Sequence, residues 1–282
     1  MRLRNIRRSS NVIDARGRRS GGGGGRGGGL GVVGLLIVLA VGWYTGIDVR
    51  PLLGVDGRSV SSTPAPRSPG EDRAADFASR VLTTTEAVWA DVFSKQLGEA
   101  YQPPELVLFT GNVQSACGGG SAAMGPFYCP ADRRAYLDLS FFDTLANRLG
   151  AEGDFAAAYV IGHEVAHHVQ NVLGVMRQTA VARAKASPRQ ANEISVRTEL
   201  QADCLAGIWA GRLDGLLEPG DVQEALNAAR QIGDDTLARN AGRAVQPHTF
   251  THGSSDQRER WFARGYKSGL LADCDTFSAT RL

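Results

Sequence analysis

The sequence predicts an α+β fold that is mostly helical, contains a small antiparallel sheet and is preceded by one N-terminal transmembrane helix. Two short segments, "ELVLFTG" at 105–111 and "RAYLDLSFF" at 134–142, have the composition or the alternation of β-strands. Downstream of residue 141 the apolar spacing is helical almost to the end of the chain. The eighteen residues 30–47 contain no charged side chain, which reaches the lower length range for a membrane span.

The N-terminal region divides by composition into an arm, an anchor and a linker. Residues 1–29 carry eight arginines, one acidic residue and many glycines, so they predict a flexible basic arm. Arginines on this side of residues 30–47 place the arm in the cytoplasm and the rest outside it. A cleaved signal peptide is the alternative for the apolar segment. Residues 48–70 are rich in Ser, Pro and Gly and predict a linker, which leaves 71–282 as the extracytoplasmic folded domain.

Charge and cysteine content exclude some classes of protein. The formal net charge is +2, and without the basic arm the chain is slightly acidic, which argues against a nucleic-acid partner. The four cysteines form no C-x-x-C pair, so a zinc ribbon or a thioredoxin motif is not indicated. A bridge between Cys117 and Cys129 would close a glycine-rich loop and leave Cys204 and Cys274 as the second pair. Four free thiols are the alternative.

The helical part of the domain begins with apolar spacing over residues 71–98 and resumes after the two strand-like segments. Ser254 followed by Gln257 predicts a capping box at the start of the last helix. The helices predicted after the strands cover 141–149, 154–174, 189–215, 220–238 and 255–268.

The segment "HEVAH" on the second of these helices is an H-E-x-x-H motif. His163 and His167 are four residues apart, so they project from one helix face with Cβ atoms about 6 Å apart. Two imidazoles at this spacing can bind one zinc ion, and Glu164 can act beside them as a general base. The alternative is a buried helix with hydrogen-bonded histidines. His168 points elsewhere and is not expected to be a ligand.

A catalytic zinc site needs a third protein ligand, and the segment "RTELQADCLAG" offers one. Glu199 and Asp203 lie one helical turn apart among mostly apolar neighbours. We expect Glu199 to be the third ligand and Asp203 to accept the free N–H of a ligating histidine. The small side chains that follow, Gly207 among them, would let this helix approach the first. The alternatives are a solvated acidic pair, or His252 as the third ligand.

The combination of "GHEVAHHVQ" and "RTELQADCLAG" resembles the neutral zinc metallopeptidases of bacterial membranes, which are similar to gluzincins. The resemblance extends to "SSNVIDARG", "GPFYCPADRRAYLDLSFF" and "HGSSDQRERWFARG", and so to nearly the whole chain. It implies a zincin-like domain with one zinc ion per chain. It also implies His163, His167 and Glu199 as zinc ligands and Glu164 as the catalytic base.

Other residues are candidates for completing such a site. A second donor usually stabilises the oxyanion of peptide hydrolysis, and His252, Tyr136, Tyr128 and Arg258 are candidates, with His252 preferred. The strand before the motif helix can bind an extended peptide by β-addition if it has a free edge, which makes Tyr136 and Asp138 candidate substrate-binding residues. The alternative is a central strand with no free edge.

The expected function is therefore that of a membrane-anchored zinc metalloendopeptidase. A zinc-activated water would attack the peptide bond of a peptide or protein substrate, with Glu164 as general base. Two alternatives stay open: a zinc-containing membrane scaffold or binding protein without proteolytic activity, and another zinc hydrolase such as an amidase.

Overall fold

The computed structural model describes residues 1–17 and 68–282. The predicted anchor over 30–47 and nearly all of the predicted linker lie outside the described residues. Among the residues described, no helix has both the length and the apolar character needed to cross a membrane. The strands are β1 (Val12–Asp14), β2 (Glu105–Phe109), β3 (Asn112–Ser115), β4 (Gly118–Ser121), β5 (Phe127–Cys129) and β6 (Arg134–Asp138). The helices are α1 (Pro69–Val92), α2 (Ser140–Asn147), α3 (Asp154–Val172), α4 (Val175–Lys185), α5 (Pro188–Ala210), α6 (Asp221–Gln231), α7 (Asp234–Asn240) and α8 (Ser255–Ser268).

The α+β class is confirmed, but the main sheet is mixed rather than antiparallel. Its strand order is β1-β2-β6-β5, and the β1–β2 and β2–β6 pairs are parallel. Only β5 runs antiparallel to its neighbour in this sheet, while β3 and β4 form a separate antiparallel hairpin. The chain reverses through this hairpin and through β5 before it enters β6, so β6 runs in the same direction as β2. Alternation along the sequence indicates a strand but does not give its direction.

The first strand comes from the region that was predicted to be a separate arm. Val12 lies opposite Leu106 in the parallel β1–β2 pair, and Met1 and Leu3 are buried in the core of the domain. The assignment of residues 1–29 to an arm is therefore wrong for residues 1–17. The arginine content of this segment does not indicate that it packs, because the few apolar side chains between the arginines are the ones that enter the core.

The helix pair α3 and α5 forms the centre of the domain. Pro188 follows Ser187, whose capping box with Gln190 starts α5. The two helices approach closely at Gly162, where an added Cβ would lie 2.7 Å from the Trp209 ring. The prediction that Gly207 serves this contact is wrong, since Gly207 lies against the backbone of Phe262 on α8.

The other predicted helices are present in the structure, except that one of them is divided into two. The predicted capping box of Ser254 and Gln257 is present at the start of α8. The segment predicted as one helix over 220–238 forms α6 and α7, which are separated at Gly233. An added Cβ on Gly233 would meet Ser255 at 2.5 Å, so the break lets the α8 N-terminus pack between the two helices. Two disulfides, Cys117–Cys129 and Cys204–Cys274, join the pairs that the spacing suggested.

Candidate metal centre

Three side chains from α3 and α5 converge on one point. His163 Nε2 lies 3.2 Å from one Glu199 carboxylate oxygen, and His167 Nε2 lies 3.6 Å from the other. The two imidazole rings are nearly perpendicular, with centroids 4.8 Å apart. One ligand atom from each residue lies within 4.8 Å of the others. Two imidazole nitrogens and one carboxylate form the donor set of many catalytic zinc sites, so these residues fit the metal that the motif implies.

The charges at this point are those that a bound cation would balance. Burial raises the pKa of Glu199, but His167 and His163 outweigh it and hold that pKa well below its usual range. Burial lowers the pKa of His163, but Asp203 and Glu199 outweigh it and raise the value to about 9. Without metal, the raised pKa values of His163 and His167 therefore favour imidazole protons that balance the carboxylates. A divalent cation would replace those protons on binding.

Asp203 holds His163 from the side opposite Glu199. Its carboxylate Oδ1 lies 2.9 Å from His163 Nδ1 and also accepts a hydrogen bond from the Tyr159 hydroxyl. Arg258 donates to both carboxylate oxygens, at 2.8 and 2.9 Å, and both side chains are buried. Burial would raise the pKa of Asp203, but Arg258 and His163 hold it at about 2. An ionised Asp203 accepts the Nδ1–H of His163 and so leaves Nε2 free for a metal.

Arg258 is consequently not an oxyanion donor. Its guanidinium forms the bidentate pair with Asp203 and a further hydrogen bond to the Tyr159 hydroxyl. Removing it would leave a buried carboxylate without its counter-charge. The sequence indicates a basic residue on the last helix but not that its side chain points into the core.

Glu164 follows His163 on α3 and lies beside the converging ligands. One of its carboxylate oxygens is buried and has no hydrogen-bond partner among the described residues. Burial raises the pKa of Glu164, and the nearby imidazoles reduce this effect. A carboxylate with a raised pKa and an unsatisfied oxygen is suited to take a proton from a water molecule.

His252 lies in the loop before α8 and is held by Asp234. The imidazole Nδ1 is 3.2 Å from Asp234 Oδ1, and the other Asp234 oxygen accepts the backbone N–H groups of Thr251, His252 and Gly253. Partial burial lowers the pKa of His252, but Asp234 and the nearby Glu199 outweigh this effect and raise the pKa. The side chain is about half exposed and is not part of the converging group of His163, His167 and Glu199. No motif or spacing in the sequence indicates Asp234 as a partner of His252.

The structure does not place Tyr136 and Asp138 in a substrate site. Both side chains are buried, and β6 is a central strand with β2 on one side and β5 on the other. The Tyr136 hydroxyl donates to Asp132, while Asp138 accepts the backbone N–H groups of Gly111 and Ser140. Their prediction as substrate-binding residues is therefore wrong, because β6 has no free edge. The strand at that edge of the sheet is β5.

Tyr128 and His168 form a second buried pair, which joins β5 to α3. The Tyr128 hydroxyl is 2.9 Å from His168 Nδ1, and His168 Nε2 is 2.8 Å from the Gln102 carbonyl oxygen. Because a carbonyl can only accept, Nε2 carries the proton and Nδ1 accepts from Tyr128. Asn171 in turn donates to the Tyr128 oxygen. Neither Tyr128 nor His168 is available to the converging ligands.

The second ligand histidine has a partner that the sequence analysis missed. His167 Nδ1 lies 2.9 Å from Oε1 of Gln170, one turn further along α3. The i,i+3 spacing of His167 and Gln170 on a predicted helix was the available signal.

Comparisons with known proteins show the family to which the chain belongs. A family model described as "Putative neutral zinc metallopeptidase" matches residues 1–277. The chain is 47% identical to the uncharacterized protein YpfJ of Escherichia coli K12, over 98% of this chain and 99% of that protein. It is 43% identical to the uncharacterized protein Rv2575 of Mycobacterium tuberculosis H37Rv, over 72% of this chain and 71% of that one. No solved structure matches. With its family match covering almost the whole sequence, the chain belongs to the neutral zinc metallopeptidase family that this model describes.

Proposed function

We propose that the protein is a zinc-dependent peptidase that hydrolyses peptide bonds with Glu164 as general base. The observation that carries this proposal is the convergence of His163 Nε2, His167 Nε2 and the Glu199 carboxylate near a buried Glu164 oxygen that has no hydrogen-bond partner in the described part of the chain. His163, His167 and Glu199 would hold the metal. Zinc, when bound, supplies a Lewis acid that polarises the peptide carbonyl and lowers the pKa of water.

Glu164 transfers the proton in this mechanism. Its unsatisfied carboxylate oxygen accepts a proton from the attacking water and then delivers it to the leaving amine. The raised pKa of Glu164 is closer to neutral pH than that of an ordinary glutamate. This favours both the uptake of the proton from water and its delivery to the amine. Asp203 and Gln170 accept the Nδ1 protons of His163 and His167, and the Nε2 atoms would bind the metal, so the two imidazoles do not compete for this proton.

His252 is the proposed donor to the developing oxyanion. Asp234 accepts from Nδ1, so the ring directs Nε2–H away from Asp234. Its raised pKa favours the charged imidazolium, which is the stronger donor. The electrostatic interaction between His252 and Glu199 supports this proposal, because charges interact measurably only when they lie near each other. A half-exposed ring on a loop anchored by three backbone hydrogen bonds can reach a substrate and still keep its position.

The peptide is proposed to bind along β5 as an added strand. Strand β5 is the last strand of the sheet on this side, and it is joined to α3 through Tyr128 and His168. An extended peptide that pairs with β5 would therefore lie next to the helix that carries Glu164. Main-chain pairing of this kind suits an endopeptidase, because it does not need a free peptide terminus.

The test is metal analysis of the purified full-length protein, combined with peptide hydrolysis. We expect about one zinc per chain and hydrolysis of a peptide library that a chelator abolishes and zinc restores. Glu164→Gln should keep the zinc and lose hydrolysis by at least about 10²-fold, whereas Glu199→Ala should lose the zinc. Glu259→Gln, on α8 in an ion pair with Arg230 outside the converging ligands, is a control for the loss of one carboxylate.

Other outcomes would point to other functions. Bound zinc without hydrolysis of any peptide would favour a zinc-containing scaffold, and cleavage restricted to amides outside peptides would favour an amidase. Full activity of Glu164→Gln would contradict the mechanism. Unchanged zinc content in Glu199→Ala would remove Glu199 from the ligand set.

A further inference from the structure

Gln170 is a completely buried polar side chain between the two ligand-bearing helices. It lies on α3, and its carbonyl Oε1 is 2.9 Å from Nδ1 of the ligand His167. Its Nε2 donates to the backbone carbonyl of Thr198 at 2.7 Å and to Gln201 Oε1 at 3.0 Å. Thr198 directly precedes Glu199, so one amide contacts both the second histidine and the backbone beside the carboxylate ligand.

The contacts of Gln170 determine the orientation of its amide. The Thr198 oxygen is a backbone carbonyl and can only accept a hydrogen bond, so the Gln170 atom that faces it must be the NH₂ group. The carbonyl end of Gln170 then faces His167. Since that oxygen can only accept, the proton of a neutral His167 lies on Nδ1 and the lone pair lies on Nε2, the nitrogen that faces Glu199.

We propose that Gln170 is a positioning residue for the metal site: it fixes the tautomer and ring orientation of His167 and sets the distance between His167 and Glu199. This proposal rests on the proposed function, because it treats His167 and Glu199 as metal ligands. His163 is oriented by the ionised Asp203, whose charge the buried Arg258 balances. His167 is oriented by a neutral amide, which adds no further buried negative charge beside the ligands.

A purely structural role for Gln170 would have different consequences. In that case the amide would tie α3 to α5, and its loss would lower the free energy of unfolding without a specific effect on metal affinity. A positioning role makes a different prediction. Zinc affinity should fall more when Gln170 loses its hydrogen bonds than when another residue in the same hydrogen-bond chain loses its own. Gln201 offers that comparison, because it accepts from Gln170 and donates to the Cys274 carbonyl but is not bonded to His167.

The experiment compares Gln170→Met with Gln201→Met in the full-length protein. Methionine keeps the length of the glutamine side chain and removes all its hydrogen bonds. Zinc dissociation constants are measured by competition with a chromogenic chelator. We expect about 10- to 100-fold weaker zinc binding for Gln170→Met and a change within about threefold for Gln201→Met. In the cobalt-substituted protein, the visible absorption of Gln170→Met should also differ from that of the wild type and Gln201→Met.

Equal dissociation constants for the two variants, or an unchanged constant for Gln170→Met, would overturn the proposal. If Gln170→Met does not fold, the wild-type protein labelled with ¹⁵N-histidine provides the test by NMR. The proposal requires the metal on Nε2 and the proton on Nδ1 of His167, and the reverse arrangement would overturn it. Absence of zinc binding by the wild type would contradict the proposed function instead, and the Nδ1 proton of neutral His167 would still test the role of Gln170.

Discussion

At the scale of single residues, His252 can be separated from the ligand set by mutation. Its ring contacts Asp234 and Thr251 but not His163 or His167, so removing it should leave the metal in place. We expect His252→Ala to lower kcat by about 10²- to 10³-fold with little change in zinc content, as for the loss of one oxyanion donor. Steady-state kinetics and metal analysis check this.

His248→Ala is the matched control for that variant. His248 is exposed in the same loop region, and its backbone oxygen accepts a hydrogen bond from Asn192. It should retain wild-type kinetics. A His252→Ala variant that loses zinc, or that keeps its full kcat, would contradict the assignment of His252 as an oxyanion donor.

Asp203 should make the free energy of unfolding of the zinc-free protein depend on pH in the acidic range. Its folded-state pKa of about 2 is below the usual unfolded value of about 3.9, so its contribution is complete only above about pH 5. That contribution is about 2–3 kcal/mol and disappears as the pH falls towards 2. The free energy of unfolding of Asp203→Asn, measured in urea with a chelator present, should therefore be well below the wild-type value at pH 7, and the difference should fall to about half near pH 3 and be nearly lost near pH 2. A difference that does not change with pH would contradict this coupling.

The residues that the sequence could predict are those whose chemistry follows local spacing. His163, Glu164 and His167 occupy one motif, and Glu199 and Asp203 occupy one helical turn. Asp234 could not be predicted, because its contact with His252 depends on the break between α6 and α7. Tyr136 was misassigned because alternation does not reveal which strand lies at the edge of a sheet.

At the scale of elements, the crossing of α3 and α5 at Gly162 determines whether Glu199 reaches the histidines. The Trp209 ring that lies on Gly162 has little freedom to move, because it stacks on Phe155 and donates to Thr84. Helix propensity alone predicts that Gly→Ala stabilises by about 1 kcal/mol. An added methyl group 2.7 Å from the ring should reverse that sign and cost about 1–3 kcal/mol.

We therefore expect Gly162→Ala to unfold at a lower urea concentration than the wild type and to bind zinc more weakly, because α5 is displaced from α3. The double variant with Trp209→Phe separates this contact from other effects, since the smaller ring removes the atoms nearest to Gly162. In that background, Gly162→Ala should cost less. A stabilising effect of Gly162→Ala in the wild-type background would show that the helices do not meet there.

The predicted helix boundaries match the observed ones where a capping residue defines the start of the helix. The capping boxes at Ser187 and Ser254 start α5 and α8, and both starts lie within one residue of the prediction. The sequence could not show which helix the small residues of α5 face. Gly207 and Gly265 bring α5 against α8, where each lies on the backbone of the other helix. Small side chains indicate a close contact without identifying the partner.

At the scale of the whole molecule, the N-terminal residues restrict the membrane topologies that are compatible with the fold. In addition to the β1–β2 pair, Arg16 donates to the Glu71 carbonyl and to Asp72 at the start of α1. A single crossing of a bilayer by residues 30–47 would leave residues 1–17 and 68–282 on opposite sides. The two parts could not then form one sheet, so a cytoplasmic arm and an extracytoplasmic domain are incompatible with this fold within one chain.

We therefore expect residues 1–17 and the zinc domain to lie on the same side of any membrane that the protein contacts. The two disulfides favour the oxidising side. A protease site inserted within residues 21–25 and another within 60–66, in separate variants, test this in spheroplasts exposed to external protease. Cleavage at both sites is the expected result, and a cytoplasmic protein should stay intact as the control for lysis. Cleavage at the second site alone would place the two parts on opposite sides and exclude the β1–β2 pairing within one chain.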